Sequence, residues 1–196
     1  MKQPIDNFDK VIPLLTFDTP DDFYFLQILQ RKKENELLGS NSRVIKNYYI
    51  KSIDHLLKRK QEIIDLCTIF NARAMFRLNR RSFFKVSLKS IQNIANTIAN
   101  SEHEHALKQY DRACGQGHNE TKAKWILDID DIGRASNDII LFAERQCEPE
   151  GDKFITIIPS KNGYHIITYP FNLEKFKLQY PEIEVHKDNP VNLFIP

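Results

Sequence analysis

The chain of 196 residues contains few glycines, few cysteines and no long apolar run. Its 6 glycines form neither a phosphate-binding P-loop nor a Gly-x-Gly-x-x-Gly dinucleotide motif, which argues against the ordinary ATPase, kinase and Rossmann classes. The 3 cysteines form no Cys-x-x-Cys pair, and their odd number argues against a disulfide framework. The longest apolar runs, of about six residues, are too short for a membrane span. Since the first residues also lack the apolar core of a secretory signal, we expect a globular, cytoplasmic protein without a membrane partner.

A group of potential zinc ligands lies in the middle of the chain. It comprises His103, His105, Cys114 and His118. These residues have enough ligand atoms for zinc, but their spacing matches no zinc pattern. We therefore expect no structural zinc.

Charge is distributed unevenly along the chain. Residues 31–90 contain 15 Lys/Arg and 5 Asp/Glu, whereas the other residues contain 13 and 21. A basic half beside an acidic cluster suits a nucleic-acid backbone together with metal-bound nucleotides. The alternative is that basic runs such as 31–33 and 58–60 are only the solvated ends of a strand and a helix.

Hydrophobic patterning predicts an α+β fold in which a single domain, 1–196, is built from two modules. The first is a basic αβ module over residues 1–121, with strands predicted over 23–29, 44–50 and 72–78 and helices over 52–70, from Ser82 onward and over 103–114. The helix from Ser82 places five apolar residues on one face, namely Phe84, Leu88, Ile91, Ala95 and Ile98.

The second module, residues 122–196, has the element order β-α-β-β-α-β. The strands are predicted over 125–130, 154–158, 164–168 and 183–186, and the helices over 136–146 and 172–180. This order is typical of ferredoxin-like and RRM domains. Because crossover connections are right-handed, we expect the first strand to lie between the third and the fourth, antiparallel to both.

This topology brings polar residues from three segments to one end of the sheet. Asp128 and Asp130 lie two apart on a strand, so their carboxylates leave the same face roughly 7 Å apart. His165 and Glu184 lie near the starts of the neighbouring strands, and Asp130 is expected to be close to both. Such an acidic cluster is costly without cations, which predicts divalent metal binding by Asp128, Asp130 and Glu184. An exposed strand end is the alternative explanation of the Asp-x-Asp pair.

Three segments of the second module share an order and spacing with a known family. They read Trp125-Ile-Leu-Asp-Ile-Asp130, Ser160-Lys-Asn-Gly-Tyr-His165 and Ile183-Glu-Val-His-Lys-Asp-Asn-Pro-Val-Asn-Leu-Phe194. They resemble the three motifs of archaeo-eukaryotic primases and primase-polymerases. The stretch from Asn71 to Arg81 also resembles the basic strand of small members carried by phages and mobile elements. The resemblance covers most of the chain, and it implies a primase catalytic core with the N-terminal αβ module packed on the RRM-like module.

The resemblance also implies an activity and site residues. It implies a nucleotidyltransferase that uses nucleoside triphosphates to make or extend a primer on a single-stranded DNA template. Two ions, Mg²⁺ or Mn²⁺, would be held by the paired aspartates and a third acid, and the histidine of the second motif would contact the triphosphate. The catalytic roles therefore fall on Asp128, Asp130 and His165.

Further contacts are expected on chemical grounds. Lys161 is expected to hold phosphates together with His165, and Ser160 either donates a hydrogen bond to the nucleotide or fixes its turn. Arg73, Arg77 and Arg81 are spaced to place at least two positive charges on one side of a strand and its exit. They are expected to contact template or primer phosphates, the alternative being ordinary surface charges.

The sequence departs from the family at three places. Lys161 stands where the family has glycine, Glu184 where it has aspartate, and Asn192 near the position of its usual arginine. We expect Glu184 to be the third acid, because Asp188 lies about 13 Å further along the strand direction; Asp188 is the alternative.

Two other functions stay open. One is a catalytically degenerate nucleic-acid-binding module of a replication complex. The other is a two-metal nuclease, since metals and acids do not by themselves distinguish joining from cutting. The Ser-x-x-Gly-x-His motif disfavours the nuclease. A helicase or another replication protein is expected, if it is a partner, on a separate chain.

Overall fold

The computed structural model describes residues 3–36, 38–39, 41–130 and 136–196. Within them the fold is α+β with two antiparallel sheets, which confirms the predicted class. The strands are β1 Ile5–Asp6, β2 Asp22–Gln30, β3 Arg43–Ile50, β4 Arg73–Arg77, β5 Arg81–Ser82, β6 Trp125–Ile129, β7 Phe154–Pro159, β8 Tyr164–Thr168, β9 Glu184–His186 and β10 Pro190–Ile195. The helices are α1 Phe8–Val11, α2 Ile53–Ile69, α3 Phe83–Ala99, α4 Gln109–Cys114, α5 Ser136–Arg145 and α6 Leu173–Gln179, with 3₁₀ turns at Ile12–Leu14, Lys32–Glu34 and His103–Lys108.

The first sheet has the order β1-β10-β4-β2-β3, and β5 pairs with one end of β2. The long strand β2 lies between β4 and β3 and is buried along most of its length because both of its faces are apolar. Tyr24 and Leu26 enter the main core, whereas Phe23 and Phe25 point to the opposite face and pack with Val86 of α3. β2 and β3, on either side of residues 31–42, pair as an antiparallel ladder.

The second sheet has the order β7-β8-β6-β9, so β6 lies between β8 and β9 and is antiparallel to both, as predicted. One face of β6 packs under α5 and α6, through Leu127 and Ile129. Its other face carries Ile126, which joins the main core of the first sheet. Residues at even positions of β6 are therefore turned toward the first module.

The last strand crosses back to the first sheet. Pro190–Ile195 pairs with β4 on one side and with β1 on the other. The boundary predicted at residue 121 assigns this strand to the second module, but its ladder lies in the first. Residues 187–189 thus link a strand of one sheet to a strand of the other.

Side-chain caps fix the starts of three helices. The Ser52, Ser82 and Asn172 side chains accept hydrogen bonds from the backbone N–H groups of His55, Lys85 and Lys175. The predicted helix over 103–114 is divided into a 3₁₀ turn and α4. In the ranges that the structure describes, none of the helices combines the length and apolarity of a membrane crossing.

Candidate functional site

A cleft of about 690 Å³ opens between the two sheets. Its second-sheet wall is acidic and carries two histidines, and its other side is basic. The acidic wall contains Asp128, Asp130, His165, Glu184 and His186, and the basic side contains Arg31, Lys33 and Arg73 and is joined by Lys161, which reaches it from the turn between β7 and β8. We refer to this space as the cleft.

Asp128 is central to the acidic wall. It is the register partner of His165 on β8 and of Glu184 on β9. Asp130, which was expected to be close to both residues, lines the same cleft but is the register partner of neither. Asp130 follows the end of β6 and is exposed, because β9 begins at Glu184, opposite Asp128.

His165 is held against Asp128. Its Nε2 lies 3.4 Å from Asp128 Oδ1, and the imidazole is largely buried. The interaction with His165 lowers the pKa of Asp128, although burial of the carboxyl acts in the opposite direction. The other ring nitrogen, Nδ1, is buried and has no hydrogen-bond partner among the described residues. A buried polar atom without a partner requires an explanation, and a ligand bound in the cleft is one.

The turn before His165 explains the Ser-x-x-Gly-x-His spacing. The Gly163 N–H donates to Ser160 Oγ at 3.2 Å, and the Ser160 N–H donates to the Gly163 carbonyl at 2.9 Å. A Cβ atom at Gly163 would lie only 1.9 Å from the Ile129 carbonyl oxygen, so the turn packs directly on the end of β6. Of the two roles expected for Ser160, this geometry supports fixing the turn. The motif thereby positions His165 beside Asp128.

An ionised carboxylate, Glu34, lies among the cations of the cleft. Arg73 Nε donates to Glu34 Oε2 at 2.9 Å, and Lys161 Nζ lies 2.5 Å from Glu34 Oε1. Burial opposes ionisation, but the hydrogen bonds and charges of Arg73 and Lys161 outweigh it and lower the pKa of Glu34 to about 2. Two cations predicted to bind phosphates are therefore already paired with one carboxylate of the chain, which compensates one of their two positive charges. The sequence did not indicate this role, since Glu34 only ends the basic run 31–33.

Of the three predicted nucleic-acid-binding arginines, only Arg73 lines the cleft. Arg81 is fully buried, and it donates to the Cys114 carbonyl at 2.9 Å and to Asp188 Oδ2 at 2.6 Å. The prediction for Arg81 is therefore wrong, because its side chain has no surface left for a phosphate to contact. Arg77 is also largely buried and donates to the Asp188 carbonyl.

These contacts also distinguish Glu184 from Asp188, the two residues considered as the third metal-binding acid. Asp188 is bound by Arg77 and Arg81 and does not line the cleft. Glu184 lines the cleft and faces Asp128 across neighbouring strands. The geometry therefore favours Glu184.

His186 is a cleft residue that the sequence reasoning missed. Its Nε2 lies 3.3 Å from Glu184 Oε2. The sequence contained a signal for His186. Glu184 and His186 are two apart on a strand and so share a face, as Asp128 and Asp130 do.

The donor types of the acidic wall suit a hard divalent cation, because Mg²⁺ and Mn²⁺ prefer carboxylate oxygens. Among the residues that the structure describes, however, no three His, Cys, Asp or Glu side chains converge as a ready ligand group. Two of the acids contact histidines instead, Asp128 with His165 and Glu184 with His186. The chemistry of the donors fits the predicted metals, and their ligation remains a prediction.

Comparison with known proteins gave no match to a family model, to a curated protein or to a solved structure. A functional assignment therefore depends on the residues of the cleft and on their geometry.

Proposed function

We propose that the protein is a primase or primase-polymerase-like nucleotidyltransferase, which transfers nucleotides from triphosphates onto a 3′-hydroxyl on a single-stranded DNA template. The observation that supports this most is the presence, in one cleft, of an acidic wall opposite a group of cations. Phosphoryl-transfer sites need both, since acids hold metal ions and cations neutralise the phosphates.

In this proposal Asp128, Asp130 and Glu184 hold two Mg²⁺ or Mn²⁺ ions. When bound, such ions supply Lewis-acid stabilisation of the attacking and leaving oxygens. The register pairing of Asp128 with Glu184 supports their sharing one site. Asp130, which is exposed beyond the strand, completes the acidic wall.

The chain's own residues bind and orient the triphosphate. His165 has hydrogen-bonding capacity left, since one ring nitrogen contacts Asp128 and the other lacks a described partner. Arg73 and Lys161 lie on the basic side and provide charged hydrogen bonds for phosphate oxygens. Because these groups are held by strands and a tight turn, they are oriented before the substrate binds.

The template is expected to run along the edge of the basic side of the cleft, where Arg31 and Lys33 lie, which we call the basic rim. Arg31 and Lys33 line the cleft, and the Lys33 side chain is exposed to solvent. Contacts from such residues to phosphates would position the strand without reading its sequence. These residues replace Arg77 and Arg81 in the proposed nucleic-acid path.

A degenerate nucleic-acid-binding module is the second candidate function, and one observation favours it. Charged groups of the cleft are paired within the chain, as in Arg73–Glu34, Lys161–Glu34 and Asp128–His165. Because these charged groups have partners within the chain, the cleft can exist without metals or nucleotides. A two-metal nuclease is less well supported, because cutting does not require a basic side for a triphosphate.

One assay separates these functions. The protein is incubated with a single-stranded DNA template, labelled ribo- or deoxyribonucleoside triphosphates and Mg²⁺ or Mn²⁺, with and without a primer. We expect products longer than the primer, or new primers, that depend on the divalent ion. Template binding without products would favour the degenerate module, and shortened template would favour the nuclease.

A further inference from the structure

Helix α3 turns its apolar face outward. Phe84, Leu88, Ile91 and Ile98 are 66%, 53%, 65% and 53% exposed, and Ala95 on the same face is exposed as well. We call these five residues the α3 stripe. The buried residues of the helix are Val86, Ser90 and Thr97, two of which are polar. The amphipathic pattern is therefore the reverse of that of an ordinary surface helix, whose apolar stripe faces the core.

The spacing of the stripe fits another helix. Its members follow one another at intervals of four, three, four and three residues. This is the a/d spacing of a coiled-coil seam, into which side chains of a facing helix insert. The exposed apolar area is on the order of 400 Å², a size at which a patch on a monomer is often functional.

The exposed apolar area of the α3 stripe also limits the kind of complex that the stripe can form. A standard interface buries about 800 Å² on each partner. The stripe supplies about half of that, with the polar residues beside it left to form a rim. This suits a dimer of moderate affinity rather than an obligate one.

Four residues of the α3 stripe, Phe84, Leu88, Ile91 and Ala95, are complementary to themselves when two α3 helices run antiparallel. In an antiparallel pair, positions a of one helix face positions d of the other. That register sets Phe84 of one copy against Ala95 of the second copy, and Leu88 against Ile91. A large ring then meets a methyl group, and two medium-sized side chains meet each other. Since the same contacts occur twice about a two-fold axis, the arrangement is closed.

The charges of the helix agree with this orientation. The only charged residues of α3 are Lys85 and Lys89, both in its first half. In an antiparallel pair with this register, Lys85 lies beside residue 94 of the other helix, and only Lys89, beside residue 90, comes near its counterpart at the two-fold axis. A parallel pair would bring the lysines of both copies together.

We propose that the protein forms a two-fold symmetric dimer through antiparallel packing of the α3 stripes of two copies. The dimer leaves the cleft free, because α3 packs on the face of the first sheet opposite the main core. The inference is therefore independent of the proposed activity.

Sedimentation equilibrium over a range of protein concentrations tests the proposal. The wild-type chain should approach twice its mass of 23.0 kDa as the concentration rises. Ile91→Glu, which places a charge in the middle of the stripe, should remain at the mass of one chain throughout. Asn96→Glu is the matched control, since it adds the same charge to an exposed position of α3 outside the stripe. Equal melting temperatures of the diluted variants would show that both are folded.

A pair of exchanged residues tests the register. Phe84→Ala and Ala95→Phe should each raise the dimer dissociation constant about tenfold or more, because one leaves a gap and the other crowds two rings. The double variant restores a ring opposite a methyl group and should recover most of the lost affinity. A wild-type chain that stays monomeric, an Ile91→Glu variant that still dimerises, or a double variant no better than the single ones would overturn the proposal. Binding of an acidic amphipathic helix by a monomeric wild-type chain would also overturn it.

Discussion

Glu34 and His165 are the residues whose contacts say most about ligand binding. Glu34 lies where a phosphate group would meet Arg73 and Lys161, and its two cations hold it ionised. A carboxylate and a phosphate oxygen accept the same charged hydrogen bonds. Glu34 therefore competes with an anionic ligand for the basic side of the cleft.

Glu34→Gln should bind inorganic tripolyphosphate about tenfold more tightly than the wild-type chain, which corresponds to roughly 1.4 kcal/mol. The amide keeps the size of the side chain but removes the negative charge that occupies Arg73 and Lys161. Titration calorimetry without divalent ions measures the change. Glu36→Gln is the control, since Glu36 is an exposed acid two residues further along. Equal affinity of Glu34→Gln and the wild-type chain would exclude this competition.

The ion pairs of Glu34 with Arg73 and Lys161 also predict how the stability of the fold depends on pH. The pKa of Glu34 falls from its ordinary value of 4.5 to about 2 in the folded chain, so the folded state binds this proton less readily. The stabilisation by Glu34 is therefore fully present above about pH 4.5 and is lost as the pH falls toward 2. Thermal unfolding should show the wild-type chain more stable than Glu34→Gln near neutral pH, with the difference shrinking below pH 4.5. A difference that is constant from pH 7 to 3 would contradict the assigned ion pairs.

His165→Ala should weaken nucleotide binding and slow transfer by roughly 1.5–3 kcal/mol, the loss expected for a hydrogen bond to a charged group. Affinity for single-stranded DNA should stay near the wild-type value, because the basic rim is unchanged. Nucleotide affinity, template affinity and melting temperature are measured on one preparation, with the exposed His103→Ala as control. A parallel loss of all three would mean that His165 only packs the sheet.

At the scale of elements, the turn between β7 and β8 determines the geometry of the site. Gly163→Ala should lower the melting temperature and reduce transfer, because the added Cβ meets the backbone oxygen of Ile129 and the turn must move. Gly117→Ala is the control, since a Cβ there has nothing within 4 Å. Circular dichroism melting and the transfer assay report the two effects. Equal behaviour of the two variants would show that the close approach of Gly163 is unimportant.

The periodic elements were predictable from sequence, and the contacts between distant segments were not. The caps at Ser52, Ser82 and Asn172 and the neighbours of β6 follow from local pattern and crossover handedness. The register does not, because it depends on how β8 and β9 each pair with β6, and these two ladders place Asp128 opposite both His165 and Glu184. The return of β10 to the first sheet pairs residues at opposite ends of the chain, as in Ile5 with Ile195, and no local pattern indicates it.

Charge type also does not tell which arginine lines the cleft, since Arg73 and Arg81 are both buried. Arg73, Arg77 and Arg81 look alike in the sequence, yet the structure separates one in the cleft from two in contact with Asp188. Burial of a guanidinium becomes acceptable once hydrogen-bond partners surround it, and these partners come from other segments. Of the candidate site, the acids, His165, Arg73 and Lys161 were therefore predictable from the sequence, whereas Glu34 and the buried contacts of Arg77 and Arg81 were not.

At the scale of the whole molecule, buried polar contacts join the two sheets beside the cleft. Asn79 donates to the Lys124 and Lys187 carbonyls, and the Lys124 N–H donates back to Asn79 Oδ1 at 2.6 Å. Arg81 reaches Asp188 in the same region. Part of the basic half of the chain thus holds the second sheet against the first, which keeps the acidic wall facing the cations.

The central claim is that the acidic wall serves nucleotide transfer. The most direct test compares the wild-type chain with the double variant Asp128→Asn/Asp130→Asn in primer extension on a single-stranded DNA template with Mg²⁺ or Mn²⁺. We predict divalent-dependent extension by the wild-type chain and a loss of about a hundredfold or more in the variant, because the neutral amides hold metal ions poorly. The variant should remain folded with at most a modest loss of melting temperature, because Asn at position 128 gives up the favourable charge interaction with His165, and template binding should be unchanged. Extension by the variant at the wild-type rate, or no divalent-dependent extension by the wild-type chain, would contradict the claim.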